Sequence, residues 1–292
     1  MLRLAARWLV SAALCGAATL VAPYALAQPV QVASQMLAET APRLSSSSVL
    51  VLNGQNGEPL YQKNINQRMP IASISKLMTA MVILDSGMSL DEPITVTDAE
   101  IDRLKNTHSR LAIGTTMTRR ELLLLALMSS ENRAAHALAR SYPAGLQAFI
   151  AKMNQKAASL GMRDTVFYDP TGLDVRNTST AADLAQMVKA AYQYPLIRQD
   201  TTTVEHEATI VHGRQLHYKN SNALVRQGEW DIALQKTGYI QEAGRCMVMY
   251  ANVGTKPLII VLLAAGGSAA RVNDAKSLKN WLEAHPSYWL AG

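Results

Sequence analysis

The sequence predicts an α+β protein in which helices cover an antiparallel sheet. Three observations support this fold class. Short segments rich in β-branched residues lie near both ends of the chain, and the long middle part carries helical patterns. The strand-like segments near the carboxyl end follow one another with only short turns between them, which is typical of antiparallel strands.

Composition indicates a globular protein with a large hydrophobic core. The chain has 292 residues, of which 49% are hydrophobic and 17% are charged, enough for one large domain or two lobes. The formal net charge of +6 is a mild basic excess that could favour an anionic partner, although a solvated surface explains it better. No basic block predicts a nucleic-acid ligand, and no histidine spacing predicts a metal or cofactor site.

The first 27 residues have the pattern of an export signal. Arg3 and Arg7 supply the positive start, residues 8–21 the apolar core, and residues 25–27 an Ala-Leu-Ala cleavage site. The apolar stretch is short and is followed by a proline, which disfavours a transmembrane anchor. We therefore expect a cleaved signal peptide over residues 1–27 and an exported protein.

The segment that follows the leader is expected to be irregular. Residues 28–45 are rich in Ala, Ser and Gln. The mature chain would keep one cysteine, Cys246, and so no internal disulfide. Because Cys246 lies in an apolar run, we expect a small buried core residue.

The first strands and the central helix have clear local signals. Residues 47–53 are predicted as a strand, and Asn56-Gly57 as the turn into a second strand around residues 60–61. A helix is predicted over residues 71–85, since Pro70 suits a helix start and neither Gly nor Pro interrupts the run. This helix is apolar nearly all round, which predicts burial.

The remaining elements follow in chain order. In the middle of the chain we predict an extended segment over 94–97, a short helix over 98–105, and helices over 119–128, 131–142 and 146–160. Thr180 to Asp183 resembles a capping box for a helix that runs to about Tyr192 and is closed off by Pro195. The last third is predicted as a hairpin (208–211 with 214–218), three strands (234–239, 245–253, 257–265) and a helix over 271–284.

Ser73 and Lys76 carry the first chemical signal. They form a Ser-x-x-Lys motif at the start of the predicted helix over 71–85. Residues three apart share a helix face, so the lysine amine is expected near the serine hydroxyl. Burial lowers the pKa of a lysine and allows it to act as a base, and the amides at a helix start favour developing negative charge. A motif this short also arises by chance, so it needs support from the rest of the chain.

Two further motifs supply that support. Ser130-Glu131-Asn132 lies at a break between two predicted helices, and Lys236-Thr237-Gly238 lies on a predicted strand. In this order the three motifs match the signature set of penicillin-binding proteins and serine β-lactamases.

The chemistry of acyl transfer explains the residue types. Ser73 would attack an acyl carbon and Lys76 would take its proton. Ser130 could pass a proton to the leaving amine, and Asn132 could hydrogen-bond a substrate amide.

The strand motif would bind the substrate. Lys236 adds positive charge that keeps the Lys76 amine neutral and attracts an acidic peptide. Thr237 offers its hydroxyl to a substrate carboxylate, and Gly238 lets the substrate lie against the strand as an added strand.

From about residue 47 to residue 281 the chain resembles the low-molecular-mass serine D-alanyl-D-alanine peptidases. It is especially similar to their endopeptidase branch, the penicillin-binding proteins that cut D-alanyl–meso-diaminopimelate cross-links. The similarity lies in residues 68–81, 123–135, 169–173, 220–222 and 236–246. It implies a β-lactamase/transpeptidase-like catalytic domain over 46–292, with an all-helical lobe at about 90–200. It also implies an oxyanion hole made by the N–H groups of Ser73 and Tyr239.

Three departures from the family's patterns refine the expectation. The chain ends at Gly292 without the β-rich domain and amphipathic anchor of the membrane-bound carboxypeptidases, so we expect no stable membrane anchor. Residues 168–179 include Asp174 but lack the Glu-x-x-Leu-Asn pattern of class A β-lactamases, so β-lactams are expected to inhibit covalently. Arg271 lies where some carboxypeptidases of the family place a carboxylate-binding arginine, although an ordinary solvated helix-start arginine is an equal alternative.

The resulting hypothesis is a periplasmic serine endopeptidase that remodels peptidoglycan through an acyl-enzyme on Ser73. Two alternatives remain, a carboxypeptidase that trims pentapeptide stems and a non-catalytic scaffold that binds cell-wall enzymes or stem peptides. The expected partners are peptidoglycan stem peptides and β-lactam antibiotics, with other cell-wall enzymes as candidate protein partners.

Overall fold

The computed structural model describes residues 41–267 and 269–286. The strands in this part of the chain are β1 (Ser48–Asn53), β2 (Pro59–Lys63), β3 (Met69–Pro70), β4 (Pro93–Thr95), β5 (Thr116–Thr118), β6 (Thr178–Ser179), β7 (Glu205–Thr209), β8 (Gln215–Lys219), β9 (Asp231–Ile240), β10 (Gly244–Val253) and β11 (Lys256–Ala265). The α-helices in the same part are α1 (Lys76–Asp85), α2 (Arg119–Met128), α3 (Asn132–Arg140), α4 (Gly145–Ser159), α5 (Ala181–Ala191), α6 (Pro195–Thr202), α7 (Ala223–Gln227) and α8 (Ala270–Ala284).

The two ends of the described chain meet in one antiparallel sheet of five strands, ordered β2-β1-β11-β10-β9. The register of β1 on β11 runs from Ser48 opposite Leu263 to Asn53 opposite Leu258. β10 and β11 are buried along most of their length because α5 and α8 pack against them. The predicted α+β class is confirmed, and β9 forms one edge of the sheet.

Helix α1 lies at the centre of the helical part of the molecule. It packs against α2, α3, α4, α5 and α6, and eight of its ten residues are buried. The helix predicted over 71–85 divides into a 3-10 turn over Ala72–Ser75 and an α-helix over Lys76–Asp85. The apolar character on every side of this segment follows from its contacts with helices all around it.

The helix predicted over 98–105 is wrong in extent. The structure has only a 3-10 turn over Asp98–Glu100, capped by the Thr97 side chain. The Asp102 carboxylate then accepts hydrogen bonds from the backbone N–H groups of Leu104 and Lys105. These bonds offer the backbone an alternative to helical pairing, so the segment turns instead of continuing as a helix.

Two short helices have no counterpart among the predicted elements. α6 begins at Pro195, which stands at its first position, whereas the sequence analysis used this proline only to close the preceding helix. α7 is a helix of five residues that Asn222 caps by accepting a hydrogen bond from the Leu224 N–H. α6 packs against β9, which lies about 30 residues further along the chain, so this contact is not visible in a local stretch of sequence.

The predicted capping box at α5 forms only in part. The Thr180 hydroxyl accepts from the Asp183 N–H as predicted. The Asp183 carboxylate does not bond back to the cap, because it accepts from the Asp164 N–H and from the Thr165 hydroxyl. Asp183 therefore ties the start of α5 to the loop after α4.

Some expectations lie outside the described residues. The predicted leader over 1–27 and most of the segment 28–45 fall there. The division of the remaining chain into a catalytic domain with a helical lobe stays a prediction. Cys246 is fully buried, as predicted. No helix among residues 41–267 and 269–286 is long and apolar enough to cross a membrane.

A buried carboxylate joins the start of the described chain to the last helix. Asp274 on α8 is only 5% exposed, and its oxygens accept from the Ser45 N–H, the Ser46 N–H and the Ser46 hydroxyl. The distances are 2.9, 2.7 and 2.6 Å respectively. Since β1 begins two residues later, this contact fixes the entry of the chain into the sheet.

Replacing Asp274 is expected to destabilise the fold. Asp274→Ala leaves the buried Ser46 donors without an acceptor, so the free energy of unfolding should fall by about 2–4 kcal/mol in urea titrations. Asp91→Ala removes an exposed loop carboxylate and should change it by less than about 0.5 kcal/mol. Equal effects of the two substitutions would contradict this role of Asp274.

Candidate active site

The Lys76 amine is the centre of a buried polar cluster. Its Nζ lies 2.8 Å from Ser73 Oγ, 2.7 Å from Asn132 Oδ1 and 2.7 Å from the Thr171 carbonyl oxygen. The Ser73 contact arises locally, because residues three apart stack along a helical turn. The other two contacts bring α3 and the 169–173 loop to the same atom.

Burial sets the protonation of this amine. Lys76 is 1% exposed, and desolvation lowers its pKa from 10.5 to about 7. The carboxylates of Asp169 and Glu131 oppose the shift but do not cancel it. At neutral pH a substantial fraction of Lys76 is therefore uncharged, and its lone pair can accept the Ser73 hydroxyl proton.

The backbone is strained immediately before Ser73. Ala72 has φ +50°, a left-handed conformation that residues with a Cβ rarely adopt. Glycines on both sides allow close packing around this turn. A Cβ on Gly172 would lie 1.9 Å from the Ala72 carbonyl oxygen, and a Cβ on Gly238 would lie 3.0 Å from the Ser73 nitrogen. The turn that bears Ser73 is therefore held between the 169–173 loop and β9.

Asn177 holds the 169–173 loop in place. Its Nδ2 donates to the Asp169 carbonyl oxygen at 2.8 Å and to the Ser75 hydroxyl at 3.0 Å, and its Oδ1 accepts from the Tyr168 N–H at 2.7 Å. The Ser75 hydroxyl in turn donates to the Ala72 carbonyl oxygen at 2.9 Å. One fully buried amide thus connects the loop to the strained turn.

The second motif lies where α2 ends and α3 begins. Ser130 has φ +62°, which produces the sharp turn between the two helices, and Asn132 is the first residue of α3. Glu131 caps α3 by accepting from the Arg133 N–H. The structure thus brings Asn132 to Lys76, and Ser130 lies two residues before Asn132 in the chain.

The third motif lies on the edge strand β9. The Lys236 Nζ donates to the Thr237 carbonyl oxygen at 2.9 Å, and the Thr237 hydroxyl lies 2.7 Å from the Ser221 hydroxyl. Gly238 packs directly against the backbone of Ser73, which brings the strand bearing the Tyr239 N–H alongside Ser73. The Tyr239 side chain is exposed.

The electrostatics of the two lysines differ from the expectation. We predicted that the charge of Lys236 keeps Lys76 neutral, but the first cause of the low Lys76 pKa is burial. The repulsion acts on Lys236, whose pKa is lowered far below its usual value by desolvation and then by Lys76 and Arg271. A substrate carboxylate beside Lys236 would favour its charged form.

Arg271 is bonded to the backbone of the active-site strand. Its NH1 donates to the carbonyl oxygens of Gly238 at 2.8 Å and Cys246 at 3.2 Å, which are paired residues on β9 and β10. Burial and then Arg245 lower its pKa. Arg271 is therefore not a solvated surface arginine, and its binding of a substrate carboxylate stays a prediction.

Two cavities meet at Asn132. One of about 280 Å³ runs along the 99–104 loop to Thr171, and one of about 240 Å³ lies beside Ser130. A cavity of about 370 Å³ between α1 and α4 contains none of the motif residues. Among the described residues no group of His, Cys, Asp or Glu could hold a metal ion.

The site contains residues that the sequence analysis did not assign. These are Asp169, Thr171, Asn177 and Ser221. The Asp-Pro-Thr-Gly passage at 169–172 has the composition of a turn, which was a usable signal for a loop but not for its contact with Lys76. Ser221 and Asn177 reach the site only through long-range packing.

Comparisons with known proteins agree with one another. The family model described as D-alanyl-D-alanine carboxypeptidase (Peptidase_S11) matches residues 35–267. The chain is 45% identical over 241 residues to a D-alanyl-D-alanine endopeptidase of Pseudomonas aeruginosa, covering 82% of this chain and 78% of that protein. It is 44% identical over 258 residues to a D-alanyl-D-alanine endopeptidase of Escherichia coli, covering 87% and 83%.

Solved structures show the same fold. The Streptomyces K15 DD-transpeptidase matches with a TM-score of 0.77 at 31% identity, covering 83% of this chain and 98% of that one. Since the match extends over nearly the whole solved chain, the antiparallel sheet and the helices both belong to this shared fold.

The pKa of Lys76 predicts a pH dependence. The rate of acylation by a fluorescent penicillin should fall as the pH drops through about 7, because Lys76 becomes protonated and can no longer act as a base. Lys76→Arg should lower the rate at least about 100-fold at every pH, since arginine stays charged. Lys152→Arg, on the exposed side of α4, should keep the profile. A rate that is flat between about pH 5.5 and 8 would refute the role of Lys76.

The contacts of Asn177 predict a positioning role. Asn177→Ala should slow acylation at least about tenfold in the folded enzyme, because the loop and the strained turn lose their common partner. Asn154 offers a matched control, since its amide bonds both backbone groups of Phe167 but does not reach the turn. Asn154→Ala should slow acylation less than about threefold. Similar rates for both variants, with the folded fraction measured, would remove Asn177 from this role.

Proposed function

The chain belongs to the D-alanyl-D-alanine carboxypeptidase family of serine peptidases, and from that premise we propose that it is a periplasmic endopeptidase of peptidoglycan. It hydrolyses D-alanyl–meso-diaminopimelate cross-links through an acyl-enzyme on Ser73. The observation that carries this proposal is the 2.8 Å contact between the Ser73 hydroxyl and a buried amine of low pKa. The names of the relatives at 44–45% identity favour endopeptidase action over carboxypeptidase action.

Acylation begins at Ser73. Its Oγ attacks the D-alanyl carbonyl carbon while its proton passes to the neutral Lys76 Nζ. The carbonyl oxygen takes up the negative charge and accepts from the N–H groups of Ser73 and Tyr239. Ser130 then gives a proton to the leaving amine of diaminopimelate, the carbon–nitrogen bond breaks, and Lys76 returns its proton to Ser130.

Substrate binding uses the free edge of the sheet. The stem peptide lies beside β9 as an added strand, because β9 has no partner on its outer side within the described sheet. Asn132 hydrogen-bonds the donor amide, and Thr237 and Lys236 receive the carboxylate next to the scissile bond. Water then hydrolyses the acyl-enzyme with Lys76 as the base.

β-Lactams act on the same serine as covalent inhibitors. A β-lactamase would need a base that deacylates the penicilloyl-enzyme. Asp174 in the 168–179 region is unsuited to this task, because its hydrogen bonds to Arg176 hold the pKa of its carboxyl below the usual value. This carboxylate therefore stays ionised and is a weak base.

The other two functions fit the site less well. A scaffold has no need of a lysine buried without an ion pair, since burial of such an amine is unfavourable for folding. A carboxypeptidase would use the same three motifs, and the position of Arg271 beside β9 favours it. Periplasmic location is supported by the leader pattern, and other cell-wall enzymes remain candidate partners.

Two purified muropeptides test the function. The mature protein should convert a D-alanyl–diaminopimelate cross-linked dimer into monomers and should leave a monomeric pentapeptide intact. Both products are identified by mass spectrometry. Ser73→Ala should abolish both cleavage and labelling by a fluorescent penicillin. Loss of only the terminal D-alanine from the pentapeptide would make the chain a carboxypeptidase, and absence of labelling in the wild type would rule out the acyl-enzyme.

A further inference from the structure

A polar pocket lies beside Ser130 and has no role in the chemistry described above. Its volume is about 240 Å³, and its lining includes Ser130 and Asn132 from the second motif. The remaining wall comes from Ser129 and Glu131 of the same turn, from the loop before β5 and from the end of β8. We call this cavity the Ser130 pocket.

The charged side chains of the Ser130 pocket favour an anion. His108, Arg110 and Lys219 are exposed basic residues that line it. Lys219 makes no ion pair within the described part of the chain. The one carboxylate in the lining, Glu131, is 9% exposed and already accepts from the Ser109 hydroxyl and the Arg133 N–H. The pocket thus has an excess of positive charge that the protein itself leaves uncompensated.

Arg110 is held in position before any ligand binds. Its guanidinium carbon lies 4.2 Å from the centre of the Tyr218 ring, and its NH1 donates to the His217 carbonyl oxygen at 2.8 Å. Stacking and a backbone hydrogen bond together restrict an otherwise flexible side chain, so less entropy is lost on binding. These contacts fix the plane of the guanidinium group, and its remaining N–H donors suit a carboxylate.

The wall of the pocket also holds an unused polar group. The Tyr218 side chain is 1% exposed, and its hydroxyl has no hydrogen-bond partner among the described residues. A buried hydroxyl without a partner is unfavourable, and a bound polar ligand or water would relieve this cost.

We propose that the Ser130 pocket binds a carboxylate of the peptide strand that leaves in the reaction. This inference rests on the proposed function, in which Ser130 protonates the leaving amine. The leaving nitrogen must then lie within hydrogen-bond distance of Ser130, so the strand that carries it continues into the adjoining cavity. Stem peptides carry carboxylates on their D-glutamate and diaminopimelate residues. Since the carboxylate next to the scissile bond is placed at β9, Arg110, Lys219 and His108 select a leaving strand whose D-glutamate carboxylate is free over one in which it is amidated.

Binding of cross-linked dimers to the Ser73→Ala protein tests this assignment without hydrolysis. Three dimers are compared by calorimetry: one with free carboxylates, one amidated at the D-glutamate of the leaving strand, and one amidated at the D-glutamate of the donor strand. Amidation of the leaving strand should raise Kd about fivefold, the size expected for losing one partly exposed charge contact. Amidation of the donor strand should change Kd less than about twofold.

Single substitutions in the same background locate the effect. Lys219→Gln should remove the preference for the free leaving strand, since it deletes an exposed charge in the pocket. Arg163→Gln removes an equal charge from an exposed position after α4, outside the lining, and should keep the preference. The proposal is overturned if no binding is measurable, if the three dimers have equal Kd values, or if amidation of the donor strand sets the preference. It is also overturned if Arg163→Gln removes the preference as fully as Lys219→Gln does.

The pocket and the proposed function fail separately. Cleavage of the dimers is measured with the wild-type serine, in parallel with binding to the Ser73→Ala protein. If the wild type does not cleave the dimer while the binding preference holds, the endopeptidase function is wrong and the subsite remains supported. If cleavage proceeds while amidation has no effect on binding, the subsite is wrong and the function remains supported.

Discussion

The structure depends on one buried amine. Lys76 Nζ contacts atoms from three different elements, the Ser73 hydroxyl on its own turn, the Asn132 side chain on α3 and the Thr171 carbonyl oxygen in the 169–173 loop. An amine in this position is unfavourable as a cation, so the fold holds it by hydrogen bonds to neutral oxygen atoms instead of an ion pair. The same environment that is costly for folding gives the lysine a pKa suited to a base at neutral pH.

The strained turn before Ser73 is a second consequence of this arrangement. Ala72 keeps a left-handed conformation because Gly172 and Gly238 allow the 169–173 loop and β9 to approach its backbone closely. The Ser75 hydroxyl donates to the Ala72 carbonyl oxygen and accepts from the Asn177 amide, which fixes the same turn. Backbone strain of this kind persists only where several surrounding contacts hold the same conformation. The nucleophile is thus positioned by backbone contacts before a substrate arrives, and this reduces the entropy lost on reaching the reactive geometry.

Basic side chains are distributed around the site according to its expected partners. Lys236 and Arg271 lie at β9, where we place the carboxylate next to the scissile bond. His108, Arg110 and Lys219 lie on the other side of the second motif, in the Ser130 pocket. Peptidoglycan stems carry several carboxylates along their length, so two separate groups of basic side chains can bind two parts of one acidic peptide. Part of the modest basic excess of the sequence is thus located at the site, which the total charge alone does not reveal.

The sequence by itself determined the fold class, the three motifs and most element boundaries, such as residues 119–128 of α2, because hydrophobic periodicity, turn residues and i,i+3 spacing are local properties. It also placed Ser73 beside Lys76, since a single helical turn decides that contact. Only the tertiary structure decided which distant groups reach them. The packing of segments far apart in the chain determines the contacts of Thr171, Asn177 and Ser221. It also determines the hydrogen bonds of Arg271 to β9 and the assembly of the Ser130 pocket. Side-chain bonding also overrode local preference at Asp102 and Asp183, whose carboxylates bond the nearby backbone and a neighbouring loop instead of extending or capping a helix.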